Sequence, residues 1–277
     1  MVSSQRIGWL FNFRLKLPFI QRLSINEMKY IVRKELNSTF DDIKRLRFNH
    51  MLKILSYIDD STLNSLYHTY GIENYYYVFE RMIDQYFKGI SQNEISRYYP
   101  HGQWHLLPDL SKSIPSSELR PDTIHKRTDI HGKKYTYIID AKMYKYGGFD
   151  HTENPSYGLP ETTSIQKQIT YGEYIKNFID SERYVRNTFV LPFNKELDRF
   201  KNEFSSIEYL DKNRNLAFIG YCTGNWRTQY KSDRKLEEYE YVFTFLIDFN
   251  HLLMNYHKDN KDIEKMFDKI EETLQCL

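Results

Sequence analysis

The stretch "LRPDTIHKRTDIHGKKYTYIIDAKMY", Leu119 to Tyr144, decides the fold. Tyr135 to Tyr144 reads as a buried strand, yet it carries two opposite charges, Asp140 and Lys142. Gly132 within "DIHGKK" marks a turn, so Leu119–Lys126 and Lys134–Tyr144 are expected to pair as a hairpin. Side chains alternate across a strand. Tyr135, Tyr137, Ile139, Ala141 and Met143 therefore share one face, and Thr136, Ile138, Asp140, Lys142 and Tyr144 share the other. Asp140 and Lys142 fall roughly 7 Å apart along the strand.

A charge in a core strand is costly unless it is paired or binds a metal. One reading is a plain Asp–Lys pair on a sheet surface, contributing about 1 kcal/mol or less. Asp122, after Pro121 on the preceding strand, favours a second reading. The hairpin would bring its carboxylate beside that of Asp140, and two carboxylates with no cation between them repel. A hard divalent cation such as Mg²⁺ resolves the repulsion, and it keeps waters for a phosphate and a nucleophile. Lys142 would orient or help deprotonate the attacking water and offset charge on the scissile phosphate. From Lys112 to Lys145 there are eight Lys/Arg and four acids; with Asp122 and Asp140 set aside as ligands, the surplus is 8 − 2 = 6. Such a surplus suits a phosphate backbone.

Working outward, the whole chain gives no such signal. Its 277 residues contain 39 Lys+Arg and 37 Asp+Glu, a net +2, so any basic footprint must be local. With 24 Tyr and 18 Phe against 11 Gly and 8 Pro, long regular elements are expected. Cys222 and Cys276 have no CxxC spacing, which suggests neither a zinc site nor a disulfide framework. No apolar run of about eighteen residues occurs, and the N-terminus lacks a signal-peptide pattern, so a soluble, cytoplasmic protein without a membrane partner is expected.

Residues 1–70 read as a helical region. Ser24 and Glu27 form a capping box before "INEMKYIVRKEL". Thr39 is expected to cap the following helix, with Asp41 and Asp42 in its first turn. That helix carries Lys44, Arg45, Arg47, His50 and Lys53, which suits either a solvated face or a DNA-contacting one. Ile72–Phe87 reads as a third helix with two apolar stripes, and Glu80 falls within one of them. It is either a solvated edge residue or held inward. Residues 88–118 read as polar and irregular. After the central hairpin come a loop, a helix over "TTSIQKQITYGEYIKNFI" capped by Thr163 or Ser164, strands "TFVLPF", "LAFIGYC" and "EYEYVFTFLIDF", and helices "HLLMNYH" and "DIEKMFDKIEETL". His101, His105, His125, His131 and His151 lack the spacing of metal ligands, and no phosphate-binding GxxxxGK[ST] loop occurs.

Pro121-Asp122, a hairpin, then Asp140-Ala141-Lys142 resembles the PD-(D/E)xK nuclease superfamily. "YGIENYYYVFERMID", "LRPD", "IIDAKMY" and "IQKQITYGEYI" together resemble the LlaJI family of restriction endonucleases, and "IIDAK" is also similar to McrC. Phe79 stands where the LlaJI family usually shows tryptophan, and Met143 where tyrosine is common. The resemblance implies that Asp122, Asp140, Ala141 and Glu80 form the metal set. Lys142 would assist hydrolysis, and Gln168 would reach the site from the following helix with Tyr171 on its face. Read from the residues alone, Gln168 is equally a helix-surface amide and Tyr171 a core aromatic.

These readings give an α/β fold, with a restriction-endonuclease-like mixed sheet flanked by helices over 71–277 and a small helical region over 1–70 that binds DNA or a partner. The expected function is a Mg²⁺-dependent DNA endonuclease of restriction type, with Mn²⁺ as the alternative ion. Arg120, Lys126 and Lys145, with Lys44, Arg45 and Arg47, are the candidate DNA contacts. Beside double-stranded DNA, a second copy of the chain and a nucleotide-driven motor subunit are the candidate partners. A repair or recombination nuclease and a nuclease-like DNA-binding subunit of a larger complex are the alternatives.

Overall fold

A computed structural model describes residues 24–39, 41–60, 75–146, 156–197, 207–227, 235–257 and 262–277. The chain divides into two compact units, one of residues 13–72 and the other of 1–12 with 73–277.

In the smaller unit, helix α1 (Ile25–Ser38) opens with the expected capping box between Ser24 and Glu27. Helix α2 (Asp42–Asp60) follows. The carboxylate of Asp41, not the Thr39 hydroxyl, accepts the Lys44 N–H at 3.2 Å. Thr39 closes α1 and accepts the Asp41 N–H, so the expected cap lies two residues further on. The Asp42 side chain lies outside the described residues.

The larger unit is built on a six-stranded sheet in the order β3-β4-β5-β8-β7-β6. Its strands are β3 (Thr123–Thr128), β4 (Lys134–Ala141), β5 (Tyr184–Phe193), β6 (Glu208–Tyr209), β7 (Leu216–Cys222) and β8 (Val242–Asp248). β4, β5 and β8 run parallel, while β3 and β7 pair antiparallel at their flanks and β6 extends β7. β4, β5 and β8 are buried almost throughout, as parallel strands covered on both faces must be. A separate hairpin, β1 (His101–His105) with β2 (Ser113–Glu118), stands outside this sheet.

The predicted alternation of β4 is realised. Tyr135, Tyr137, Ile139, Ala141 and Met143 enter one core with helix α3 (Tyr75–Tyr86). Two further helices, α6 (Phe249–Asn255) and α7 (Asp262–Gln275), complete that layer. Ile138 faces the other layer with Tyr171 and Ile175, where the long helix of the middle segment packs. This helix, α5 (Thr162–Tyr174), continues as a π-turn over Ile175–Ile179. Arg186 is 2% exposed on β5 and joins the carboxylates of Glu271 on α7 and Glu238. Removing one partner of such a buried set would leave an uncompensated charge.

Several expected boundaries change. Residues 88–118 contain a short helix, α4 (Gln92–Ile95), and the β1–β2 hairpin. Leu119–Asp122 is not strand; the Leu119 N–H instead meets the Pro100 carbonyl at 2.8 Å. β4 ends at Ala141, although the Lys142 N–H still bonds the Val190 carbonyl of β5. α5 is N-capped at Glu161, which puts Thr163 and Ser164 in its first turn. "EYE" at 238–240 is a 3₁₀ turn because Glu240 turns inward to Arg227 at 3.2 Å.

Candidate active site

The antiparallel register sets the site. Thr123 lies opposite Ile139, so one step further Asp122 falls opposite Asp140. Asp140 is 6% exposed and lies beside Phe189 of β5, near the carboxyl end of β4. Ligand sites in open α/β sheets form at that edge. The segment carrying Asp122 is held on several sides. The Tyr171 hydroxyl of α5 donates to the Arg120 carbonyl at 3.2 Å, and Pro121 between them is buried. The Ala141 N–H donates to Asp122 Oδ2 at 2.8 Å. Lys142 Nζ stands 2.5 Å from Asp140 Oδ2, with its own side chain largely covered.

Asp122 is held well above the usual carboxylate range. Burial is the main cause; the charges of Asp140 and Glu80 and a hydrogen-bonding contact with Asp140 add to it, while Lys142 opposes it. Glu80, half-buried on α3, is raised by burial and by Asp140, again opposed by Lys142. Burial disfavours the ammonium of Lys142, but the charge and hydrogen bond of Asp140 and the charge of Asp122 outweigh it, and its pKa rises. The field of Asp140 and Asp122, after burial, also raises the Tyr171 phenol.

Two carboxylates set opposite each other, with a third in their field, either share a proton or await a cation. Among the described residues, no three His, Cys, Asp or Glu are grouped to hold an ion by themselves. Mg²⁺ does not need three, since one or two carboxylates suffice and water and substrate oxygens complete its octahedron. The donor set of Asp122, Asp140 and the Ala141 carbonyl therefore fits a hard cation, with Glu80 in the field of both carboxylates.

Other candidate residues are distributed differently. Gln168 is fully buried, and its Nε2 donates to the Ile138 carbonyl at 2.9 Å, bracing the sheet from α5. Its Oε1 has no partner among the described residues. Lys126 pairs with Glu94 at 2.7 Å and lies over Tyr98. Arg120 pairs with Glu118 at 3.2 Å but stays largely exposed, and Lys145 is half-buried just past Lys142. In the smaller unit Lys44, Arg45 and Arg47 are exposed, and the Arg45 guanidinium donates to the Leu36 and Thr39 carbonyls, bracing the α1–α2 turn. His125 packs 5.0 Å from the Phe267 ring as a core histidine, and His151 lies outside the described residues. The pinning of the Asp122 segment by Tyr171 has no local sequence signal, because it depends on where α5 crosses the sheet.

Fold and site together define an α/β protein with an aspartate pair and a lysine at the carboxyl edge of a central parallel strand. A family model of the LlaJI restriction endonuclease matches residues 11–218. The chain belongs to that family and is thereby a restriction-type nuclease. No curated protein and no solved structure gives a match. Among the described residues no helix is long and apolar enough to cross a membrane.

Proposed function

We propose that the protein is a Mg²⁺-dependent endonuclease that hydrolyses phosphodiester bonds in double-stranded DNA inside the cell. The observation that supports this most is the strand register that sets Asp122 opposite Asp140, with Asp122 Oδ2 2.8 Å from the Ala141 N–H and Lys142 Nζ 2.5 Å from Asp140. Asp122, Asp140 and the Ala141 carbonyl would hold the ion, with Mn²⁺ as a substitute. When bound, the ion supplies Lewis acidity toward a phosphoryl oxygen and favours hydroxide at neutral pH.

The chain's own residues do the remaining work. The Ala141 N–H orients Asp122, and Tyr171 holds the Arg120–Pro121 turn that presents it. Lys142, fixed by Asp140, stands where it offsets charge on a phosphate and directs the attacking water. Glu80 accepts from water at the rim, and Gln168 keeps β4 and β5 in register beneath the site. The half-buried setting strengthens each of these electrostatic effects.

Two partners accompany this reading. Cutting both strands of a duplex takes two such sites, which a second copy of the chain supplies. With no phosphate-binding loop of its own, the chain would draw on a separate nucleotide-driven subunit for movement along DNA. Incubating plasmid DNA, methylated and unmethylated, with the purified chain in Mg²⁺ or in chelator tests the activity. Nicking or linearisation in Mg²⁺ alone, lost in Asp140→Ala, is expected. Equal cutting in chelator would overturn the proposal.

A further inference from the structure

The β1–β2 hairpin is the one described β element whose two faces both lie open. Every residue of β1 is exposed, and so is every residue of β2 but Ser116. An isolated two-stranded hairpin is marginal in water, so a covering surface would complete it. Its register, Trp104 opposite Ile114 and His105 opposite Ser113, sorts its side chains. Gln103, His105 and Ser113 lie on one face. Trp104 and Ile114 lie on the other, 60% and 54% exposed.

We infer that this hairpin enters the major groove of the substrate duplex and reads base edges. The inference rests on the nuclease reading above, and three observations carry it. The first is continuity with the active site. The Leu119–Pro100 hydrogen bond closes the root of the hairpin, and Asp122 follows only three residues later. A duplex whose phosphodiester lies at Asp122 and Asp140 must therefore pass the root.

The second is size. A major groove admits a two-stranded ribbon. Strands of five and six residues span roughly 17–20 Å, the length of about five base pairs at 3.4 Å each.

The third is side-chain chemistry. The ribbon's charges are neutralised locally, Lys112 by Asp109 at 3.4 Å and Glu118 by Arg120 at 3.2 Å. It therefore offers little attraction to phosphate, and what it presents is hydrogen-bonding and apolar groups, which discriminate bases. Gln103 suits the donor–acceptor pair of adenine, and Ser113 suits either kind of edge. Among the described residues neither side chain makes a hydrogen bond. His105 Nδ1 lies 2.9 Å from the Leu110 carbonyl, so Nδ1 carries the hydrogen, and the neutral ring keeps an acceptor at Nε2. Trp104 and Ile114 offer the apolar contact that a thymine methyl takes.

The test is selection of bound duplexes from a randomised library by the full chain, with Ca²⁺ in place of Mg²⁺ to prevent cutting. Wild type should enrich a motif. Gln103→Ala and Ser113→Ala, both at exposed positions, should each lose preference at one base pair, by roughly ten- to a hundredfold. They should keep wild-type cutting of the remaining sequences in Mg²⁺. Variants that enrich the same motif with the same strength would overturn the inference, as would a wild type that binds without preference; neither result touches the nuclease reading. If Trp104→Ser and Ile114→Ser change the sedimentation of the chain while the motif stays, the ribbon covers a protein surface and the inference is wrong. A wild type that neither binds nor cuts any duplex removes the nuclease reading, and this inference with it.

Discussion

The main-chain N–H of Ala141, on the strand that carries Asp140, points at Asp122 Oδ2 from 2.8 Å. One backbone donor thus sets the carboxylate that burial and two neighbouring acids hold well above its usual pKa. The cluster carries an electrostatic cost without a cation, and the first prediction follows from that cost. Mg²⁺ or Ca²⁺ should raise the melting temperature of the wild type. Asp122→Asn keeps an acceptor for Ala141 and removes a repelling charge, so in chelator it should melt no lower than wild type and should gain little from either ion. Equal ion-induced shifts in both proteins would contradict the assignment of Asp122.

Lys142 is the next test. Its ammonium is fixed by Asp140 beside the carboxylate pair. Lys142→Ala should bind duplex DNA with near wild-type affinity and cut it at least about a hundredfold more slowly. Single-turnover cleavage at saturating DNA separates the two effects. A variant that cuts at the wild-type rate would return Lys142 to a structural partner of Asp140.

How much of this was legible in the sequence depends on which contacts are local. The two faces of β4 follow from alternation alone, so the core face and the Asp140–Lys142 face were readable. The start of β3 was not. Leu119 and Arg120 bond to Pro100 and Tyr171, distant residues that draw the chain out of the strand. The β1–β2 hairpin was also hidden. A ribbon exposed on both faces has no apolar alternation, and Pro115 interrupts its second strand, although a two-stranded ribbon tolerates proline. The resemblance alone points Gln168 to the site; its amide donates to the Ile138 carbonyl of β4.

His125 gives a prediction in pH. Burial against Phe267 lowers its pKa below 6.5, with Arg127 acting the same way and the Lys88 and Phe87 carbonyls and Glu264 opposing. A histidine depressed in the folded state binds fewer protons than in the unfolded chain. Its cost is full below the folded pKa and vanishes as pH rises through about 6.5. The melting temperature should climb over that window, and His125→Phe should flatten the climb. Melts from about pH 5 to about pH 7.5 check it; parallel curves for both proteins would contradict it.

In the smaller unit, Arg45 braces the α1–α2 turn, which leaves Lys44 and Arg47 as the exposed cations to test against DNA. Lys44→Ala with Arg47→Ala should reduce the salt dependence of duplex binding by up to about 0.9 for each phosphate no longer neutralised. An unchanged slope, measured by titration at several salt concentrations, would make α2 a solvated face.

The proposed function assigns Asp140 to chemistry rather than to folding. The most direct measurement pairs thermal melts of Asp140→Ala, with and without Mg²⁺, with a cleavage assay at a temperature where the variant is folded. A melting temperature in chelator close to or above wild type, no stabilisation by Mg²⁺ and no cleavage are expected. If Asp140 were only a buried partner for Lys142, its loss would destabilise by roughly 3–5 kcal/mol. A variant that melts far below wild type, yet cuts normally whenever it is folded, would contradict a chemical role for Asp140.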